Sequence, residues 1–96
     1  MRLTLVINLL ASILILSGCA TKPPAVTLDE YNRVQNGMTY TEANSIIGEK
    51  GKEMSRTEIP GTPLTVMYGW QNSDGSNMNA MFQDDKLITK AQFGLK

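Results

Sequence analysis

At 96 residues the chain has room for one domain. Its 42% hydrophobic content suits a globular core, and nine basic against nine acidic residues leave a formal net charge of zero, so composition gives no electrostatic basis for binding nucleic acid or for a polybasic hold on anionic lipid. With no histidine and one cysteine, histidine-based acid–base catalysis is excluded, the commonest metal ligand is missing, and no intrachain disulfide can form.

Met1-Arg2 gives a short positive start, and Leu3 to Leu16 runs almost wholly apolar, broken by Thr4, Asn8 and Ser12. That run is shorter than the roughly 20 residues of a spanning helix and matches the core of a signal peptide. Leu16-Ser17-Gly18-Cys19 follows, and it resembles the lipobox of bacterial lipoprotein signal peptides. The resemblance implies cleavage between Gly18 and Cys19 and lipidation of the Cys19 thiol, with palmitate-type acylation of the new amine. Each buried methylene contributes about 0.8 kcal/mol, so two or more acyl chains hold a protein stably where one does not. Ala20 in place of an aspartate after the cysteine leans the expected location to the periplasmic face of the outer membrane in a Gram-negative host. Residues 1–18 are therefore read as a signal peptide, 19–26 as a lipidated tether containing Pro23 and Pro24, and 27–96 as the folded domain.

Thr27-Leu28-Asp29-Glu30 and Thr39-Tyr40-Thr41-Glu42 are two capping boxes. In each, the threonine oxygen suits the N–H three residues on, and the glutamate can reach back. Val26 with Tyr31, and Met38 with Ala43, are spaced as hydrophobic staples. Asn36-Gly37 predicts the first stop and Gly48 the second. Leu28, Tyr31 and Val34 share one helix face; Ala43, Ile46 and Ile47 share the other helix's. Helices this short persist only when packed on something else.

From Gly51 the period changes to that of strands. A first strand is expected around Glu53 to Ile59, turning at Pro60-Gly61. Leu64, Val66, Tyr68 and Trp70 then alternate with Thr65, Met67, Gly69 and Gln71. Asn72-Ser73-Asp74-Gly75 has hairpin chemistry, after which Met78, Ala80 and Phe82 alternate with Asn77, Asn79 and Met81. Asp84-Asp85 makes another turn, and Leu87 to Phe93 forms the last strand. The fold class is α+β: two short helices packed on a four-stranded antiparallel meander, ααββββ, with the other sheet face open.

The run Tyr31…Gly37-Met38-Thr39…Glu42…Ile46-Ile47-Gly48, then Tyr68-Gly69-Trp70…Asp74-Gly75-Ser76, then Met81 to Leu87, resembles the β-lactamase-inhibitor-protein-like superfamily. Its relatives include the small outer-membrane assembly lipoproteins of the SmpA/OmlA (BamE) type. The resemblance spans Thr27 to Leu95 and carries fold more than activity. The inhibitor protein has two such units in tandem, whereas this chain has one.

Catalytic readings of the remaining motifs are weak. Asp84-Asp85 is expected to be a solvated hairpin turn rather than a paired-carboxylate site. A calcium loop centred on Gly75 would need Trp70 and Met81 as ligands, which neither can be. No metal or cofactor is expected. Tyr68 and Trp70 are either outward anchors for a partner or core aromatics, and the small size of the domain favours core. Met67, Gln71, Asn77, Asn79 and Met81 then line the open face, an adaptable surface suited to protein contact. The resulting expectation is a non-enzymatic envelope lipoprotein, held to the membrane by its N-terminal lipid, that binds another envelope protein as an accessory of outer-membrane assembly or integrity. The alternative is an inhibitor of a secreted or periplasmic enzyme such as a β-lactamase.

Overall fold

Both helices begin where their capping boxes place them. A computed structural model, which describes residues 23–96, has α1 at Leu28–Arg33 and α2 at Tyr40–Ile47. Thr27 Oγ1 accepts from the Glu30 N–H at 3.2 Å while Glu30 Oε1 accepts from the Thr27 N–H at 2.9 Å. Thr39 and Glu42 repeat the exchange at 3.1 and 2.9 Å. At the far end of α2, Gly48 takes a left-handed conformation (φ 86°) and donates its N–H to the Asn44 carbonyl at 2.7 Å, a stop that a side chain at this position would strain. Cys19 and the signal-peptide segment lie outside the described residues.

The four strands are β1 (Lys52–Thr57), β2 (Thr65–Gln71), β3 (Asn77–Gln83) and β4 (Lys86–Phe93), paired antiparallel in the order β1-β2-β3-β4. β1 starts one residue earlier and ends two residues earlier than its sequence predicts. Glu58 and Ile59 leave the ladder because the chain is already turning, with the Thr62 N–H bonded to the Ile59 carbonyl at 3.0 Å around Pro60-Gly61.

The helices cover one sheet face. Val66, Trp70, Met78, Ala80, Phe82 and Leu87 are buried on it, together with Val34, Ala43 and Ile47 from the helical half. Trp70 and Tyr68 both point to this side, in keeping with a core role. Trp70 is 2% exposed, and its indole N–H donates to the Glu49 carbonyl at 2.9 Å. The Glu49–Gly51 segment is held around the indole from α2: Tyr40 Oη donates to the Gly51 carbonyl, and the Gly51 N–H donates to Asn44 Oδ1. A β-carbon on Gly51 would come within 2.5 Å of the Trp70 ring, so only glycine lets the chain pass. Tyr68 is half-buried, stacked on Tyr40 at 4.0 Å between ring centres and edge-on to Phe82 at 5.6 Å.

α1 corrects the sequence reading. Its stop is not Asn36-Gly37; the helix ends at Arg33, and Val34 becomes extended (φ −78°, ψ 124°) with its side chain fully buried. Lys90 on β4 caps the shortened end. Its ammonium donates to the carbonyls of Tyr31 and Val34 at 2.6 and 2.7 Å and lies 4.2 Å from the centre of the Tyr31 ring. Those carbonyls are the acceptors that one further helical turn would use. Burial lowers the Lys90 pKa from its ordinary value. Past the helix, Gly37 donates to the Leu87 carbonyl at 2.9 Å and Leu87 donates to the Met38 carbonyl at 2.8 Å, which docks the inter-helix linker on β4.

The N-terminal lead joins the fold through a side chain. Asn72, at the end of β2, accepts from the Val26 N–H at 3.0 Å and donates to the Val26 carbonyl at 2.8 Å, with a third bond to Ser76 Oγ at 2.9 Å. Val26 is 1% exposed, so the folded unit begins at Val26, one residue inside the segment read as tether.

Candidate functional site

Antiparallel register decides which side chains share the helix-free face, because alternate residues point to opposite sides. Gln71 lies opposite Asn77, and Asn77 opposite Phe93. In the next row come Lys52, Gly69, Asn79 and Ala91, then Ser55, Met67, Met81 and Thr89, then Thr57, Thr65, Gln83 and Lys86. The five residues singled out from sequence therefore stand on one face. Met67 and Met81 form a direct cross-strand pair, as do Gln71 and Asn77. Gln71 is exposed and the other four are half-buried.

Sequence reasoning missed four contributors: Lys50, Lys52, Met54 and Phe93. Between Glu53 and Ser55 the β1–β2 register shifts, leaving Met54 as the extra residue of a bulge. A β-carbon on Gly69 would sit 2.5 Å from Met54 Sδ, so the bare glycine allows the methionine to lie across the sheet. Met54 with Lys50, Lys52, Gln71, Asn77 and Asn79 then walls a concavity of about 440 Å3 over Gly69. Phe93 is the most exposed large apolar residue of the face, at 70%. The alternation of Lys52 with Met54 was the available signal for β1, but the bulge breaks it after two residues. For Phe93, placing the last strand's residues required the β3–β4 register, which is itself shifted between Met81 and Phe82.

The donors and acceptors of this face are carboxamides, hydroxyls and the ammonium groups of Lys52 and Lys86, its larger apolar groups are methionines and one phenylalanine, and among the described residues it carries no paired nucleophile and base. The acidic pair Asp84-Asp85 lies elsewhere, exposed in the β3–β4 turn with both residues at positive φ (47° and 62°). Each carboxylate there accepts from a backbone N–H, Asp84 from Leu64 at 3.0 Å and Asp85 from Tyr40 in the first turn of α2 at 3.1 Å. The turn is thus a structural clip more than a merely solvated loop. Asp74 in the β2–β3 turn is likewise engaged: hydrogen bonds from the Ser76 hydroxyl and N–H lower its pKa.

The described architecture agrees with a family assignment made on the sequence. The family model for Beta-lactamase inhibitor (BLIP) matches residues 27–96. The chain belongs to the BLIP family. The matched span takes in both helices, all four strands and every residue of the open face. BLIP domains are non-enzymatic inhibitor domains. No curated protein matches the chain.

Proposed function

We propose that this chain is a non-catalytic inhibitor-type protein, which uses the open sheet face to bind and block an enzyme such as a β-lactamase. The observation that carries the reading is BLIP membership across residues 27–96, the span that includes the whole helix-free face. An open sheet face with adaptable methionines and amides favours a protein surface over a small-molecule pocket. The lipobox-like Leu16-Ser17-Gly18-Cys19 adds an anchored form of the same function, with Cys19 lipidated and the domain held at the outer membrane. The anchor also supports a second reading, an accessory lipoprotein of outer-membrane assembly, which family membership favours less than inhibition.

Two experiments test this. Purified full chain titrated into a class A β-lactamase hydrolysing a chromogenic cephalosporin should abolish turnover at a stoichiometric ratio. Undiminished turnover, with cross-linking in membranes recovering assembly proteins instead, would transfer the function to the second reading. For the anchor, Cys19→Ala should remove palmitate labelling, and unchanged labelling would rule lipidation of Cys19 out.

A further inference from the structure

Zero net charge conceals a separation of charge across the sheet. All nine carboxylates of the sequence fall within the described residues, and none lies on the open face. Asp29, Glu30 and Glu42 serve α1 and α2, and Glu49 borders a hollow against α2. Glu53 stands opposite Tyr68 on the helix side, where it pairs with Arg56, as Glu58 also does. Asp74, Asp84 and Asp85 are in the turns.

The cations divide the other way. Among the described residues, Arg33, Arg56 and Lys96 are in ion pairs and Lys90 caps α1. Lys50, Lys52 and Lys86 make no ion pair with a described residue. The register puts Lys52 and Lys86 on the open face, and Lys50 joins Lys52 at the rim of the 440 Å3 concavity. Around it, the amides of Gln71 and Asn79 line the hollow and make no hydrogen bond to another described side chain.

We propose that this concavity receives an acidic side chain of the partner protein, presented on a loop that lies across the open face. The inference rests on the inhibitor reading and names the chemistry its partner must carry. The ammonium groups of Lys50 and Lys52 supply the charge, and the amides of Gln71 and Asn79 bond the carboxylate oxygens, while the Asn77 amide is held by the Gly75 carbonyl at 3.1 Å. Met54, whose Sδ lies directly over Gly69, forms the apolar floor on the β1 side. A hollow lined by a few side chains covers only part of the roughly 800 Å2 each partner contributes to a stable complex, so it is a receptor for one side chain inside a larger contact. Anionic membrane and nucleic acid are poorer occupants, because two or three lysines without arginine fall short of the clusters those polyanions need.

The test uses the purified, isotope-labelled full chain and two acetylated peptides, one carrying a pair of glutamates and the other glutamines at the same places. The glutamate peptide should shift the amide signals of Gly69, Gln71, Asn77 and Asn79 and bind about tenfold more tightly than its glutamine counterpart. Lys52→Glu or about 0.5 M salt should remove that preference, while Lys86→Glu, at the opposite corner of the face, should keep it. Equal binding of the two peptides, or no response to either, would overturn the proposal. The enzyme assay separates the two ideas. Inhibition that survives the double change Lys50→Glu, Lys52→Glu keeps the inhibitor reading and sinks the acidic-loop site. A glutamate preference without β-lactamase inhibition keeps the acid site and removes that enzyme as its target.

Discussion

β2 and β3 present two faces made from interleaved residues of the same strands. On the covered face, Val66 and Trp70 of β2 and Met78, Ala80 and Phe82 of β3 join the apolar core and are at most 5% exposed. On the open face, one residue away along the chain, Met67, Gln71, Asn77, Asn79 and Met81 keep contact with water. The first set is fixed by close fit: no change of size is free in a domain with so small a core. The second set is bound to the fold mainly through its backbone, so its side chains are open to selection by a partner. Stability and the proposed recognition are thus separated by the two-residue period of the strand.

Several substitutions would break or sharpen that contrast. Trp70→Ala empties the centre of the covered face and should cost about 3–5 kcal/mol, enough to leave the chain largely unfolded in a urea titration. Asn72→Ala should cost about 3 kcal/mol by the same measurement, since it leaves the buried Val26 N–H and carbonyl without partners. Thr39→Ala, which removes the α2 cap, should cost about 1 kcal/mol. Acid should act through Asp74. Its pKa is lowered from the ordinary 3.8 by the Ser76 hydrogen bonds, so its stabilisation is complete above that value and is withdrawn as pH falls through the lowered one. Asp74→Asn should flatten the acid limb of the stability profile below about pH 4. Smallest of all, Asn79→Ala on the open face should change stability by less than about 0.5 kcal/mol, against the large loss from the same change at Asn72. A large effect at Asn79 would show that the open face also holds the fold together.

What sequence could reveal was set by range. Capping boxes and strand alternation act between residues two to four apart, and they located both helix starts, the strands and the faces of β2 and β3. The early end of α1 is capped by Lys90, more than fifty residues downstream, and no local pattern announces a lysine that will bond helix carbonyls. The Asn72–Val26 clamp spans 46 positions, so its asparagine reads as ordinary turn chemistry. At the candidate site, the amides and methionines of β2 and β3 followed from period alone. Lys50, Lys52 and Met54 did not, because a bulge displaces β1 and only the folded sheet brings those residues over Gly69.

The Val26 clamp also has a mechanical side. Any tension on the chain ahead of Pro23 reaches the domain at Val26, whose backbone is gripped on both polar groups by one carboxamide. The load passes into the β2–β3 turn, and the first contacts to give way are two hydrogen bonds and one buried valine. No strand pair need part before them. The clamp therefore behaves as a shear pin, able to release the leading segment under pull while the four strands, and the surface they present, keep their shape.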